Sequence, residues 1–241
     1  MRLRLRVPRV PRLSRRALAW GGTVLAVLVL WLAAPAVLRR LAFFRVRQVE
    51  LVGVRNLDPD AVLAALRLPA EASVFDDTRL LADRVRGLAG VADARVARRP
   101  PAALKVMVQE VEPVALVPAP RGFQVVDAGG RALPFDPARG GGLDLPVAQV
   151  ADSDVVGVLA RIQAFDPVLF QDIGAARQYG RGDVLLELGS RRVLVARDAG
   201  PEVIQAVVLV ARDLAAKARP YVELDARYAG QVVVRRRARA G

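Results

Sequence analysis

The 241-residue chain contains no cysteine and no histidine. The first absence excludes disulfides, thiol nucleophiles and thiolate-bound metal. The second removes imidazole ligands and every catalytic triad built on an imidazole base. Lack of cysteine assigns no redox compartment, because a chain of this length buries one or two cores without covalent staples. Serine is scarce: Ser14, Ser73, Ser153 and Ser190 stand in neither a Gly-x-Ser-x-Gly elbow nor a Ser-x-x-Lys dyad. A hydrolase reading therefore lacks a nucleophile. Gly140-Gly141-Gly142 lacks the following Lys-Ser/Thr that would hold a nucleotide phosphate, so it reads as a loop. Asp76-Asp77 and the pair Asp152 and Asp154 could flank a sugar bond, but helix capping explains both more simply. No catalytic residue, metal site or cofactor is expected, and with them no small-molecule substrate.

Acidic residues are missing from the first sixteen positions, which hold seven arginines, among them Arg12, Arg15 and Arg16. The formal net charge is +13. It resides in that tail, in Arg39-Arg40, and in Arg235, Arg236, Arg237 and Arg239, leaving a body with no net charge. A nucleic-acid face on such a body is not expected. Charge is also absent from residues 17–38, 22 positions that as a helix extend about 33 Å, against a hydrocarbon core of about 30 Å. This reads as a transmembrane helix behind a basic cytoplasmic tail, 1–16. The arginine excess before it, with Arg12, Arg15 and Arg16 nearest, keeps the N-terminus inside and sends the remainder across. A cleaved signal peptide is the rival reading, since Ala34-Pro35-Ala36 offers small residues, but the apolar run is longer than a signal core and a basic pair follows it.

Beyond the span the hydrophobic content, 54% over the chain, argues for folded domains. Residues 43–53 mix apolar and charged positions as a strand does. Asp58 before Pro59 opens a helix that buries Val62, Ala65 and Leu66. Asp76 or Asp77 opens another, with Leu81, Val85 and Leu88 inward. Strands follow over 91–98, with Ala92, Ala94 and Val96 on one face, and over 104–108, with Leu104, Val106 and Val108 together. The order is β-α-α-β-β. Prolines at 113, 118 and 120 discourage regular structure over 113–122. A second unit then begins with a strand at 123–126 and a helix over 153–165 ended by Pro167. A hairpin, 184–188 with 192–196, turns on Gly189-Ser190, and a helix opens at Pro201. Two strands, 221–225 and 231–234, close it; the arginines from 235 on read as a solvated end that blunts the last strand.

In this order the chain resembles the bacterial cell-division family FtsQ, called DivIB in some bacteria. The carriers are Phe44, Val46, Val49, Val52 and Gly53; Arg99-x-Pro101-x-x-Leu104-x-Val106-x-Val108-x-Glu110 with Pro113-Val114-Ala115; Val126-Asp127-x-x-Gly130; Leu145-Pro146; and Tyr221-Val222-Glu223-Leu224-Asp225-x-Arg227-Tyr228. Departures are Ala89 and Gly90, where the family often has proline and tryptophan, Pro100 in place of its tryptophan, and Val111 in place of an arginine.

The resemblance implies an α+β chain: the N-terminal transmembrane helix 17–38, a POTRA domain over 41–112, a mixed α+β "β domain" over 113–234 with a terminal edge strand, and a basic tail 235–241. It implies a non-enzymatic, single-pass scaffold of the divisome, in the inner (plasma) membrane at the division septum, with its C-terminal part extracytoplasmic. Such a scaffold binds FtsB, which travels with FtsL, alongside other divisome proteins, and helps control septal wall synthesis. Carried over, Tyr228 is an aromatic anchor, Arg227 a donor to a partner carboxylate, and Gln231, Val232, Val233 and Val234 an edge to which a partner adds a strand. The strand over 91–98 is a weaker second contact surface. Readings from other classes are a POTRA-bearing export or envelope-assembly component and a membrane-tethered wall hydrolase.

Overall fold

The computed structural model describes residues 24–29, 31, 41–137, 143–228 and 230–236. Arg12, Arg15 and Arg16, the rest of the basic tail, most of the 17–38 stretch, the triple glycine and residues 237–241 lie outside the described residues. Residues 24–29 and 31 are helical and exposed, with Trp31, Val24 and Leu25 uncovered. Among the described residues no helix is long and apolar enough to cross a membrane.

After a 3-10 turn, Ala42–Phe44, the first unit runs β1 Gln48–Val52, α1 Pro59–Leu66, α2 Thr78–Arg86, β2 Val91–Arg99 and β3 Ala103–Glu110. The sheet order is β1-β3-β2, with β1 parallel and β2 antiparallel to β3. Capping acts where the sequence places it. Asp58 accepts from the Asp60 N–H with Pro59 at the first helical position, and Asp77 accepts from the N–H groups of Arg79 and Leu80. Helix side chains Val62, Leu66, Leu81 and Val85 meet Leu104, Val106 and Val108 of β3 in one buried cluster.

Two expectations change here. The strand expected over 43–53 begins only at Gln48, because Phe44 turns in to stack edge-on against Phe75 and its backbone bonds the 72–74 segment. In β2 a register shift between Val91 and Asp93 rotates the face, so Val91 and Ala94 are buried while Ala92 is exposed.

The second unit runs β4 Ala115–Ala119, β5 Gly122–Val126, β6 Val147–Ala148, α3 Ser153–Phe165, α4 Pro167–Asp172, β7 Ala175–Tyr179, β8 Asp183–Leu188, β9 Arg191–Ala196, α5 Pro201–Ala216, β10 Glu223–Ala226 and β11 Val233–Arg235. They form one sheet, ordered β11-β10-β9-β8-β7-β6-β4-β5. Helix residues Val155, Leu159, Ile162, Ile204 and Val207 pack with Ala176, Val184, Leu186, Val193, Val195 and Leu224 of the sheet.

The proline-rich stretch is a strand after all. Leu116 donates from its N–H to the Pro146 carbonyl, so Pro118, two residues on, turns its missing N–H to that same side, where β6 pairs with β4 only at Leu116. Pro167 both follows α3 and starts α4, because Asp166 closes the first helix through its N–H to Ile162 and caps the second by accepting from the Leu169 N–H.

The units share a seam. Val125, Leu133 and Phe135, all from the second unit's sequence, join the first unit's buried cluster. Gly90, at φ +86°, makes room for it: a Cβ there would lie 2.9 Å from the Phe135 ring and 3.2 Å from Pro134.

Candidate protein-binding edge

Because α3 and α5 contribute to the core on one side of the large sheet, residues of the opposite parity along its strands share the other face. Register places Arg177, Leu185, Leu194, Asp225 and Val233 in one row across five strands, from β7 to β11. Tyr179 and Asp183 pair in the row beside it. Leu185 and Leu194 are buried in the middle of this face, and charged pairs surround them, Arg177 with Glu187 at 3.6 Å and Arg235 with Glu223 at 3.2 Å.

The face and the rim meet at Arg227. Its Nε and Nη2 donate to the two oxygens of Asp225, at 2.8 and 2.7 Å, and Nη1 donates to Asp183 at 3.0 Å. The same guanidinium lies 5.7 Å from the Tyr179 ring centroid and 5.8 Å from that of Tyr228. A planar cation with two carboxylates in reach and two rings against it is held firmly. The side-chain hydrogen bond from Arg227 is the main influence on Asp225; it outweighs the opposing effect of burial and holds the carboxyl below the ordinary aspartate range. Hydrogen bonds to Asp225 and Asp183 make the guanidinium harder still to deprotonate.

The resemblance gives Arg227 the role of a donor to a partner carboxylate. Its donors already serve carboxylates of its own chain, and only 24% of its side chain is exposed. Tyr228, in contrast, is 56% exposed. Sequence reasoning missed Tyr179, Asp183 and Asp225 as its neighbours. Only the closing pairings of the sheet bring β7 and β8 to the end of β10, although the short spacing from Asp225 to Arg227 was available as a signal. A cleft of about 250 Å³ lies alongside, lined by Ala196, Gly200, Val203, Ala226, Arg227 and Tyr228.

The rim strand is shorter and later than expected. Gln231 donates from its N–H to the Tyr228 carbonyl and Gly230 takes φ +71°, so Gln231 and Val232 complete the turn, and pairing starts at Asp225 with Val233. Val233 is 44% exposed, Val234 is half-buried against the core and Gln231 is exposed. Arg235, expected in the solvated tail, belongs to β11 and faces Glu223 as an ion pair. Glu223 Oε1 has that charge beside it without hydrogen-bond alignment. On its outer side β11 pairs with no other described strand.

In the first unit, Glu110 finishes β3. Oε1 accepts from the N–H groups of Arg55, Asn56 and Leu57, at 2.7, 2.9 and 2.9 Å, and Oε2 from the Asn56 side-chain amide at 3.0 Å. Gly53, at φ +89°, lies so close to β3 that a Cβ there would sit 2.1 Å from the Val108 carbonyl oxygen. The two residues close the domain's β1–α1 connection, and residues 44–110 match the family described as POTRA domain, FtsQ-type. Over this segment the chain is similar to FtsQ-type POTRA domains.

The likeness extends beyond this segment. The chain is 34% identical to cell division protein FtsQ of Rhodothermus marinus over 142 residues, covering 58% of this chain and 42% of that protein. It is 34% identical to FtsQ of an Anaeromyxobacter species over 157 residues, 60% of this chain and 51% of that one. With FtsQ of Mycolicibacterium smegmatis it shares 30% over 177 residues, 66% of this chain and 52% of that one. The matches span about half the length of these relatives. The extracytoplasmic domain of the trans isomer of DivIB from Geobacillus stearothermophilus aligns at a TM-score of 0.31 and 17% identity, over 45% of this chain and 97% of that one, a likeness too slight to bear on the fold. In sequence the chain resembles FtsQ cell-division proteins.

Among the described residues no cluster of three or more acidic side chains is arranged to hold a metal ion. Asp77 and Asp152 act as helix caps, the simpler of the two roles weighed for the acidic pairs.

Proposed function

We propose that the chain is a non-enzymatic, single-pass membrane scaffold of the bacterial division machinery that takes an added strand from a partner on the open side of β11. The observation that carries this is the position of β11, last in an eight-stranded sheet and unpaired on one side among the described residues. An unpaired strand edge offers backbone donors and acceptors at the spacing another extended chain needs. Resemblance to FtsQ supplies the partner, FtsB travelling with FtsL, and the consequence, control of septal wall synthesis.

In this reading Val233 and Val234 provide the edge, and Gln231 and Val232 the turn leading into it. Tyr228 is the aromatic anchor. Arg227 positions that ring rather than reaching the partner. The uncharged stretch 17–38 is the membrane anchor, with Arg12, Arg15 and Arg16 keeping the N-terminus in the cytoplasm, so that both sheets stand outside the plasma (inner) membrane at the septum.

The test is binding of purified FtsB–FtsL to the full chain in lipid nanodiscs. Tyr228→Ala is expected to weaken capture about tenfold or more, as loss of a central aromatic anchor does, and Tyr228→Phe to retain most of it. Equal affinity for the alanine variant and the parent, with unfolding midpoints unchanged, rejects the edge as the docking site.

A further inference from the structure

The turn Ala42–Phe44, where the chain enters the POTRA domain, carries apolar side chains that the domain leaves bare. Phe43 is 63% exposed and Leu41 46%. They do not hang on a loose leader. Phe43 stands edge-on to Phe44 with ring centroids 5.0 Å apart, and Phe44 stands edge-on to Phe75 at the same distance. Val74 donates from its N–H to the Phe44 carbonyl, and Val46 donates from its own to Ala72, at 3.0 and 2.8 Å. Arg98 ties the far side of that segment, donating to the Val74 and Asp76 carbonyls at 3.0 and 3.1 Å. Phe43 is thus mounted on a braced corner of the domain. Arg45 and Arg47, both exposed, come directly after it, and Glu71 is exposed on the bracing loop.

The sequence just before this corner has the composition of a bilayer-crossing helix. Even a fully extended chain puts Phe43 within about 18 Å of Leu38, the last residue of that stretch. Aromatic and leucine side chains next to basic ones are the groups that settle in the headgroup layer.

We propose that Leu41 and Phe43 form a membrane-facing collar of the POTRA domain that beds into the interfacial layer of the bilayer, with Arg45 and Arg47 turned to anionic headgroups. Resting on the reading of 17–38 as a membrane anchor, the collar goes beyond it: the domain is fixed in attitude to the membrane by a second contact of its own. That attitude in turn sets how the β11 rim is presented.

The cysteine-free sequence allows a single nitroxide to be placed without background. Full-length chains carrying Phe43→Cys, Leu41→Cys or, as a control on an exposed aromatic in the large sheet, Phe123→Cys are spin-labelled in vesicles of phosphatidylethanolamine and phosphatidylglycerol. Power saturation then compares collision with lipid-soluble oxygen and with a water-soluble nickel chelate. The expected result is at least a threefold higher oxygen-to-nickel ratio at 43 and 41 than at 123. The collar is overturned if the ratios at 43 and 41 match that at 123, or if both colliders are excluded there, which would mean that protein covers the corner. Flotation and carbonate extraction of the same samples separate the two ideas. Chains that stay anchored while label 43 meets water refute the collar alone, and chains that fail to float refute the anchor and the collar with it.

Discussion

Glu110 allows the sharpest quantitative test of how the POTRA-like first unit is held together. Replacing it with alanine removes the acceptor for three backbone N–H groups and one side-chain amide at once. These losses are unequal. Arg55 is exposed, so its freed N–H binds water, whereas Leu57 is 5% exposed and its N–H has less access to solvent. A buried donor without a partner costs about 1–3 kcal/mol, and a hydrogen bond to a charged group contributes about 1.5–3 kcal/mol. Glu110→Ala is therefore expected to destabilise by about 3–4 kcal/mol, a large fraction of the 5–15 kcal/mol typical of a domain. Glu110→Gln is a different perturbation. It keeps an oxygen for the three backbone donors, loses the charge, and sets an amide against the Asn56 amide, for about 1–2 kcal/mol. The gap of about 2 kcal/mol between the variants is the signature of a carboxylate that organises a loop rather than one that merely ends a strand. Urea unfolding of the full chain followed by circular dichroism measures it, with hydrogen exchange at the Leu57 amide as the local readout. Equal midpoints for the two variants, or an unchanged Leu57 exchange rate in the alanine variant, refutes the assignment.

Two other expectations concern the seam and the rim. Gly90→Ala forces a side chain to φ +86° and presses it on the Phe135 ring, for about 2–3 kcal/mol of lost stability. Adding Phe135→Leu is expected to restore the steric part but not the backbone part, and a double-mutant cycle with no coupling would show that the two units do not meet there. Asp225 and Asp127 are both held below the ordinary aspartate value. For Asp225 the bond from Arg227 is the largest cause. For Asp127 burial pulls upward but is outweighed by the N–H groups of Arg131 and Gly129 and the Arg131 guanidinium. Depressed values mean that this stabilisation is fully present above the unfolded value of about 3.9 and disappears as pH falls through the folded values. Urea midpoints are expected to be level in this respect above about pH 4 and to drop below it, and Asp225→Asn to be less stable near neutrality with a shallower acid slope. An unchanged slope would dismiss the Asp225–Arg227 pair as its source.

Local signals in the chain were sufficient for much of the fold. Asp58-Pro59, Asp77 and Asp152 announced helix starts because capping involves only neighbours in sequence, and the spacing of Val155, Val158, Leu159 and Ile162 marked the buried side of α3. Gly189-Ser190 marked a hairpin for the same reason, with Gly189 at φ +60°. What escaped was set by partners distant in sequence. Strand β7, Ala-Ala-Arg-Gln-Tyr, has little strand character of its own and is extended because β8 and β6 flank it. Pro118 reads as a breaker until β6 is seen to stop short of it.

Sequence alone determined the basic ends, the uncharged stretch, the helix caps and the β-α-α-β-β order of the first unit, since each depends on composition or on residues a few positions apart. Tertiary structure alone decided which strand lies outermost, that Tyr179 joins Tyr228 around Arg227, and that this guanidinium is already engaged by Asp183. The contacts of Arg227 with Tyr179 and Asp183 join residues far apart in sequence, 44 positions in the case of Asp183. They exist only once the entropy of closing long loops has been overcome by burying the core between the helices and the sheet, a sum over the whole fold that no short window of sequence contains.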